Sequence, residues 1–148
     1  MENQKTQPAV GNDTYLTDLD VRIWLRDNNP EANNLLLDYE FTPEEIRQAM
    51  TLTVDHYNDQ PPYIRNYDYD KFPWRSKLLE GTAANLLFMA AHRFRRNALQ
   101  YSNGGLSVAD QEKYQQYDAA GDKLWSSFKA WVIDHKRAVN ATIGWATI

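Results

Sequence analysis

The chain has 148 residues, a net charge of −4 at pH 7 and no cysteine, enough for one hydrophobic core, and nothing in it resembles a linker between two domains. The missing cysteines exclude disulfides, thiolate metal sites and cysteine nucleophiles, and an acidic pI of about 5.3 argues against general nucleic-acid binding through a basic surface. No apolar run approaches the roughly 18 residues of a membrane span, and the first residues lack a basic-then-apolar signal pattern, so a soluble protein that stays inside the cell is expected.

Residues 1–14 are polar, carry Pro8 and Gly11, and read as a flexible N-terminal arm. Order is expected from about Tyr15. Thr17 with Asp20 three positions on opens a short helix to about Asp27, and Asn28, Asn29 and Pro30 stop it. The clearest start signal is Phe41-Thr-Pro-Glu-Glu-Ile. Thr42 is the cap, Pro43 takes the first helical position and Glu45 completes a capping box. Ile46, Ala49, Met50, Thr53, Val54 and Tyr57 hold one face of that helix until Asn58, where Pro61 and Pro62 prevent continuation.

An aromatic connector follows from Asp59 to Trp74, expected as a packed loop. A third helix from Ser76 to about Tyr101 buries Leu79, Ala83, Leu86, Leu87, Ala90, Phe94 and Tyr101, and its small residues Gly81, Ala83, Ala84, Ala90 and Ala91 permit close helix approach. The turn Ser102-Asn-Gly-Gly ends it. A long fourth helix then runs from about Val108 to Asn140, with Tyr114, Tyr117, Gly121, Leu124, Phe128, Trp131, His135 and Ala138 turned inward. At about 1.5 Å per residue it is about 50 Å long and projects from a small domain. The tail from residue 141 to 148 has no charged side chain and is rich in β-branched and aromatic residues, so it is expected to be extended. The expectation is therefore an all-α helical bundle over 15–140, with two long antiparallel helices, shorter N-terminal helices and an extended C-terminal tail.

No constellation for chemistry is legible. His56, His92 and His135 fall at neither the zinc-helix nor the di-iron spacing, and Gly104-Gly105 lacks the Lys and Ser/Thr of a phosphate loop. The acid pairs Asp118/Asp122 and Asp68/Asp70 have no accompanying base or nucleophile. No catalytic, cofactor-binding or metal-binding residue is therefore assigned. Two features point instead to partners. Ile143, Trp145 and Ile148 of the tail either fold back over the aromatic connector or fill pockets of a partner. Arg93, Arg95 and Arg96 concentrate positive charge. They form a solvated face or pair with the acids around Asp38, Glu40, Glu44 and Glu45, or else they contact a neighbouring subunit or nucleic-acid backbone.

Several stretches together resemble the head-tail adaptor (connector) proteins of tailed bacteriophages. They are Asp20-Val-Arg-Ile-Trp-Leu-Arg-Asp27, Phe41-Thr-Pro-Glu-Glu-Ile with its ending Asp55-His-Tyr-Asn58, Lys77-Leu-Leu-Glu-Gly-Thr-Ala-Ala-Asn85, the turn Ser102-Asn-Gly-Gly-Leu-Ser107, and the long helix with Leu124-Trp125 and Phe128. The resemblance spans most of the chain beyond the arm, although no single motif is specific. It implies a virion protein of the neck, made in the host cytoplasm, that assembles as a homo-oligomeric ring, commonly of twelve copies. Such a ring joins the portal to the stopper or tail protein and lets double-stranded DNA pass without sequence specificity. The aromatic connector and the uncharged tail match no motif of that family. The alternative from another class is an intracellular helical nucleic-acid-binding or regulatory module using the three arginines, and a small enzyme ranks below both.

Overall fold

The structure, a computed structural model, describes residues 15–32, 38–101 and 108–146, with side chains described except at 98–101, 108–111 and 145–146. The arm, the Leu35–Leu37 run, the Ser102–Ser107 turn and Ile148 lie outside the described residues. Within them are α1 (Asp18–Leu25), α2 (Pro43–Asp59), α3 (Arg75–Tyr101) and α4 (Val108–Ala146), with short 3-10 turns at Pro30–Ala32 and Tyr69–Lys71. No strand occurs among the described residues. The protein is an all-α helical bundle.

The expected starts at Thr17 and Thr42 are capping boxes, and the third, at Ser107 with Asp110, lies outside the described side chains. The Thr17 hydroxyl accepts from the Asp20 amide while the Asp20 carboxylate accepts from the Thr17 amide. Thr42 and Glu45 make the same reciprocal pair, with Pro43 in the first turn. Each box satisfies amides that a helix N-terminus otherwise leaves without partners. At Asp20, burial acts to raise the pKa, but hydrogen bonds from Thr17 and the Arg75 guanidinium outweigh it and hold the carboxyl below its ordinary value.

The end of α1 departs from expectation. Helix stops at Leu25, and Arg26 takes the left-handed conformation at φ 62°. The Arg26 amide donates to Ile23 and the Asp27 amide to Arg22, the Schellman pattern usually built on glycine. This reversal aims the Asp27 carboxylate inward, where it accepts from the Arg22 guanidinium at 2.8 Å, the Glu40 amide at 2.6 Å and the Phe41 amide at 3.1 Å. One buried carboxylate thus ties α1 to the approach to α2.

α3 and α4 run antiparallel. Trp74 meets Trp131, Gly81 meets Phe128, Gly121 meets Phe88 and Phe94 stacks on Tyr117, so the contact position on α4 falls as that on α3 rises. A Cβ on Gly81 would overlap the Thr53 methyl, and one on Gly121 would press on Phe88. Glycine at these positions is what lets the helices approach this closely. The core gathers Val21, Phe41, Ile46, Met50, Val54, Tyr57, Phe72, Leu78, Leu86, Phe128 and Val132, each large apolar side chain contributing about 1.5–3 kcal/mol when fully buried.

The expected extended tail is corrected. α4 continues without interruption to Ala146, because adding a residue to an existing helix costs only a few tenths of a kcal/mol even for Thr or Ile, whereas a lone strand has no ladder to join. Its inward face is also rotated from the expected one. Val132 and Lys136 are buried, and Ala138 is exposed.

Asp27→Ala would leave the buried Arg22 charge and two buried amides without their acceptor. An expected loss of about 3–5 kcal/mol follows, against about 1 kcal/mol for Thr42→Ala. Urea melts of the two variants check this, and equal losses would show that the Asp27 clamp is not a determinant of stability.

Candidate interaction surfaces

The aromatic connector is packed. Asn58 clamps it, its amide donating to the Tyr67 carbonyl at 2.9 Å and its carbonyl accepting from the Tyr67 amide at 3.0 Å. Phe72 is then fully buried, and Tyr67, Phe72 and Trp74 close around Tyr57. From α4, Trp131 stacks on Tyr57 with ring centres 5.9 Å apart, and His135 lies 4.3 Å from the Trp74 ring. The Lys136 amine, which sequence reasoning did not single out, donates to the Gln60 carbonyl at 2.6 Å and sits over the Tyr57 ring. An ammonium here satisfies a carbonyl at the C-terminal end of α2, where a helix favours positive charge. Desolvation pushes its pKa down, with Asp59 opposing.

These contacts mark where α4 leaves the bundle. Trp74 precedes the first residue of α3 and Gln60 follows the last of α2, so at Lys136 α4 has reached the end of both. The residues 137–146 continue beyond them for about 15 Å. Of their described side chains all are exposed except Val139, which is half-buried. The buried stripe Phe128, Val132, Lys136 is prolonged by Val139 and Ile143 at the same helical spacing, with no charged side chain after Arg137. Ile143 is 47% exposed. Trp145 lies on this helix, its side chain outside the described set.

At the other side of the α3 start, α1 presents its outer face. Leu19, Ile23 and Trp24 are 59%, 48% and 47% exposed. Leu16, Ile23, Trp24 and Leu79 line a shallow groove of about 440 Å³ with Asp20 and Arg75 at its edge. A second hollow of about 250 Å³ shares Trp24 and Leu79 and reaches Leu124 of α4, with Lys77 and Glu80 on its rim. Sequence reasoning singles out none of these α1 side chains as a contact surface. The signal lies in the spacing: Leu19 and Ile23 stand one turn apart on the side of α1 away from the buried Val21, with Trp24 next along the helix.

The arginines do not act as one patch. Arg93 donates to the Glu45 carboxylate at 2.9 Å and the Glu40 carbonyl at 3.2 Å, and lies over the Phe41 ring. Arg95 sits over the Tyr114 ring of α4, and Arg96 is exposed. Burial raises the Glu40 pKa, the Asp27 charge adds to this, and Arg93 opposes it.

His56 and His135 are both set among aromatic rings, His56 4.9 Å from Trp125 and His135 4.8 Å from Trp131. The His135 Nε2 is buried and has no hydrogen-bond partner among the described residues. Burial depresses both pKa values, helped at His56 by Lys129 and opposed there by Asp59. Among the described residues no group of three or more His, Cys, Asp or Glu side chains could hold a metal ion, and no helix is long and apolar enough to cross a membrane.

The class defined by this geometry is a helical bundle with two outward apolar features, the α4 end and the α1 groove. Comparisons with protein-family models, with curated proteins and with solved structures give no match.

Two outcomes are expected. Arg93→Glu would set like charges against Glu45 and lower stability by about 1–3 kcal/mol, whereas Arg96→Glu would stay within about 0.5 kcal/mol of the parent. Thermal melts decide between them, and equal shifts would remove Arg93 from its internal role. Since both histidines titrate lower in the fold than unfolded, the unfolded chain takes up protons first, and stability falls as pH drops below about 6.5. Melting temperatures between pH 7.5 and 5.5 should decline, and His135→Gln should reduce that decline. An unchanged profile in this variant would mean that His135 does not contribute.

Proposed function

We propose that this chain is a structural virion protein that forms an adaptor ring between the portal and the tail or stopper protein, leaving a channel for double-stranded DNA. The observation that carries the proposal is α4, whose inward apolar stripe continues past Lys136 into an exposed, uncharged end. Apolar side chains at Val139 and Ile143, part-exposed beyond the ends of α2 and α3, gain from burial against a second protein surface. The resemblance of the Asp20–Asp27, Phe41–Ile46 and Lys77–Asn85 stretches to adaptor proteins supports the same conclusion. In the assembly the α4 end, with Ile143 and Trp145, and Ile148 after it in sequence, joins a copy to the portal or to the next copy. Arg95 and Arg96 remain available to a subunit seam or to the channel, while Arg93 holds Glu45 within its own chain.

The test is the mass and symmetry of the full chain, alone and mixed with the portal protein encoded in the same genome, by native mass spectrometry and electron microscopy. A closed ring on the portal is expected. Deleting 141–148 should leave the helical melt within about 0.5 kcal/mol, while abolishing assembly. A full chain that remains monomeric at every concentration and with portal would overturn the proposal, and a truncated chain that unfolds would make the end part of the core.

A further inference from the structure

Each copy carries a projecting apolar end and a recessed apolar groove, and one copy cannot bring its own two together. Leu124 of α4 forms a wall of the hollow beside Trp24, and residues 124 and 143 lie on the same unbroken helix, about 28 Å apart along its axis at about 1.5 Å per residue. The end therefore reaches a Trp24 groove only on another molecule.

Charge selects the same occupant. The ionic side chains around the groove are already paired with one another, Arg75 with Asp20 at 2.5 Å and Lys77 with Glu80 at 2.8 Å. A charged segment entering there would compete with these pairs and lose its own hydration. An uncharged one would leave them intact while covering Leu16, Ile23, Trp24 and Leu79. The stretch after Arg137 has that composition.

We propose that the end of α4 of one copy seats against Trp24 in the groove between α1 and α3 of the next. The joint is heterologous: every copy offers one end and one groove, so the contact repeats head to tail and closes when the rotation per copy divides a full turn. This inference rests on the ring function above and names its seam.

Because the chain has no native cysteine, disulfide trapping reads the seam directly. Trp24→Cys and Ile143→Cys are placed singly and together in the full chain, both positions being about half exposed. Melting temperatures under reducing conditions must match the parent. If either variant misfolds, Ile23→Cys and Val139→Cys replace them. On mild oxidation the double variant should give a covalent ladder rising to the mass of the ring. An equimolar mixture of the single variants should give only dimers joining position 24 to position 143, as peptide mapping would show. A bridge requires Cα atoms within about 7 Å, so trapping reports seating and not mere proximity. Bridges only between like positions, or none with either pair while the parent stays oligomeric, would overturn the seam and leave the ring function standing. A parent chain that never exceeds a monomer, alone or with portal, would overturn both.

Discussion

Most of this structure depends on the packing of rings around Tyr57. That residue ends the buried face of α2, and it is met by Tyr67 and Phe72 from the connector, Trp74 at the entrance to α3, and Trp131, His135 and Lys136 from α4. Edge-on and stacked aromatic pairs contribute about 0.5–1.5 kcal/mol each beyond the area they bury. Burial, with the neighbouring Tyr67, pushes the Tyr57 hydroxyl pKa up to about 12, so the ring beneath the Lys136 ammonium stays neutral. Three helices are fixed to one point here, and the direction in which α4 leaves the bundle is fixed with them.

Several charged side chains hold a partner within the chain. Arg22 pairs with Asp27, Arg75 with Asp20, Lys77 with Glu80 and Arg93 with Glu45. The exposed pairs add little stability on their own. Their larger effect is on what the surface offers. At the α1 groove the neighbouring charges Asp20, Arg75, Lys77 and Glu80 are engaged with one another and are poor anchors for a charged partner.

Local chemistry was the legible part of the sequence. The capping boxes at Thr17 and Thr42, the small residues that let α3 and α4 approach, and the packed aromatic connector all follow from neighbouring residue types. What could not be read depends on tertiary context. Lys136 looks like a solvent residue until the Gln60 carbonyl lies opposite it. The left-handed cap at Arg26 carries no glycine to announce it. The final turns of α4 look extended by composition, yet a helix already thirty residues long carries β-branched residues along at small cost. The histidines share no metal spacing in the sequence, and their enclosure by tryptophan rings arises only once α2 and α4 meet.

The Asp27 carboxylate has a bearing on how such a chain can change over time. It grips the amides of Glu40 and Phe41, the first of them thirteen positions away, and so closes the intervening segment at its base. The two ends of that segment are held whatever lies between them. For a loop closed in this way, doubling its length costs only about 0.6 kcal/mol of additional entropy. A change in length between Asp27 and Glu40 is therefore cheap in closure entropy while the caps, the core and the exit of α4 stay in register.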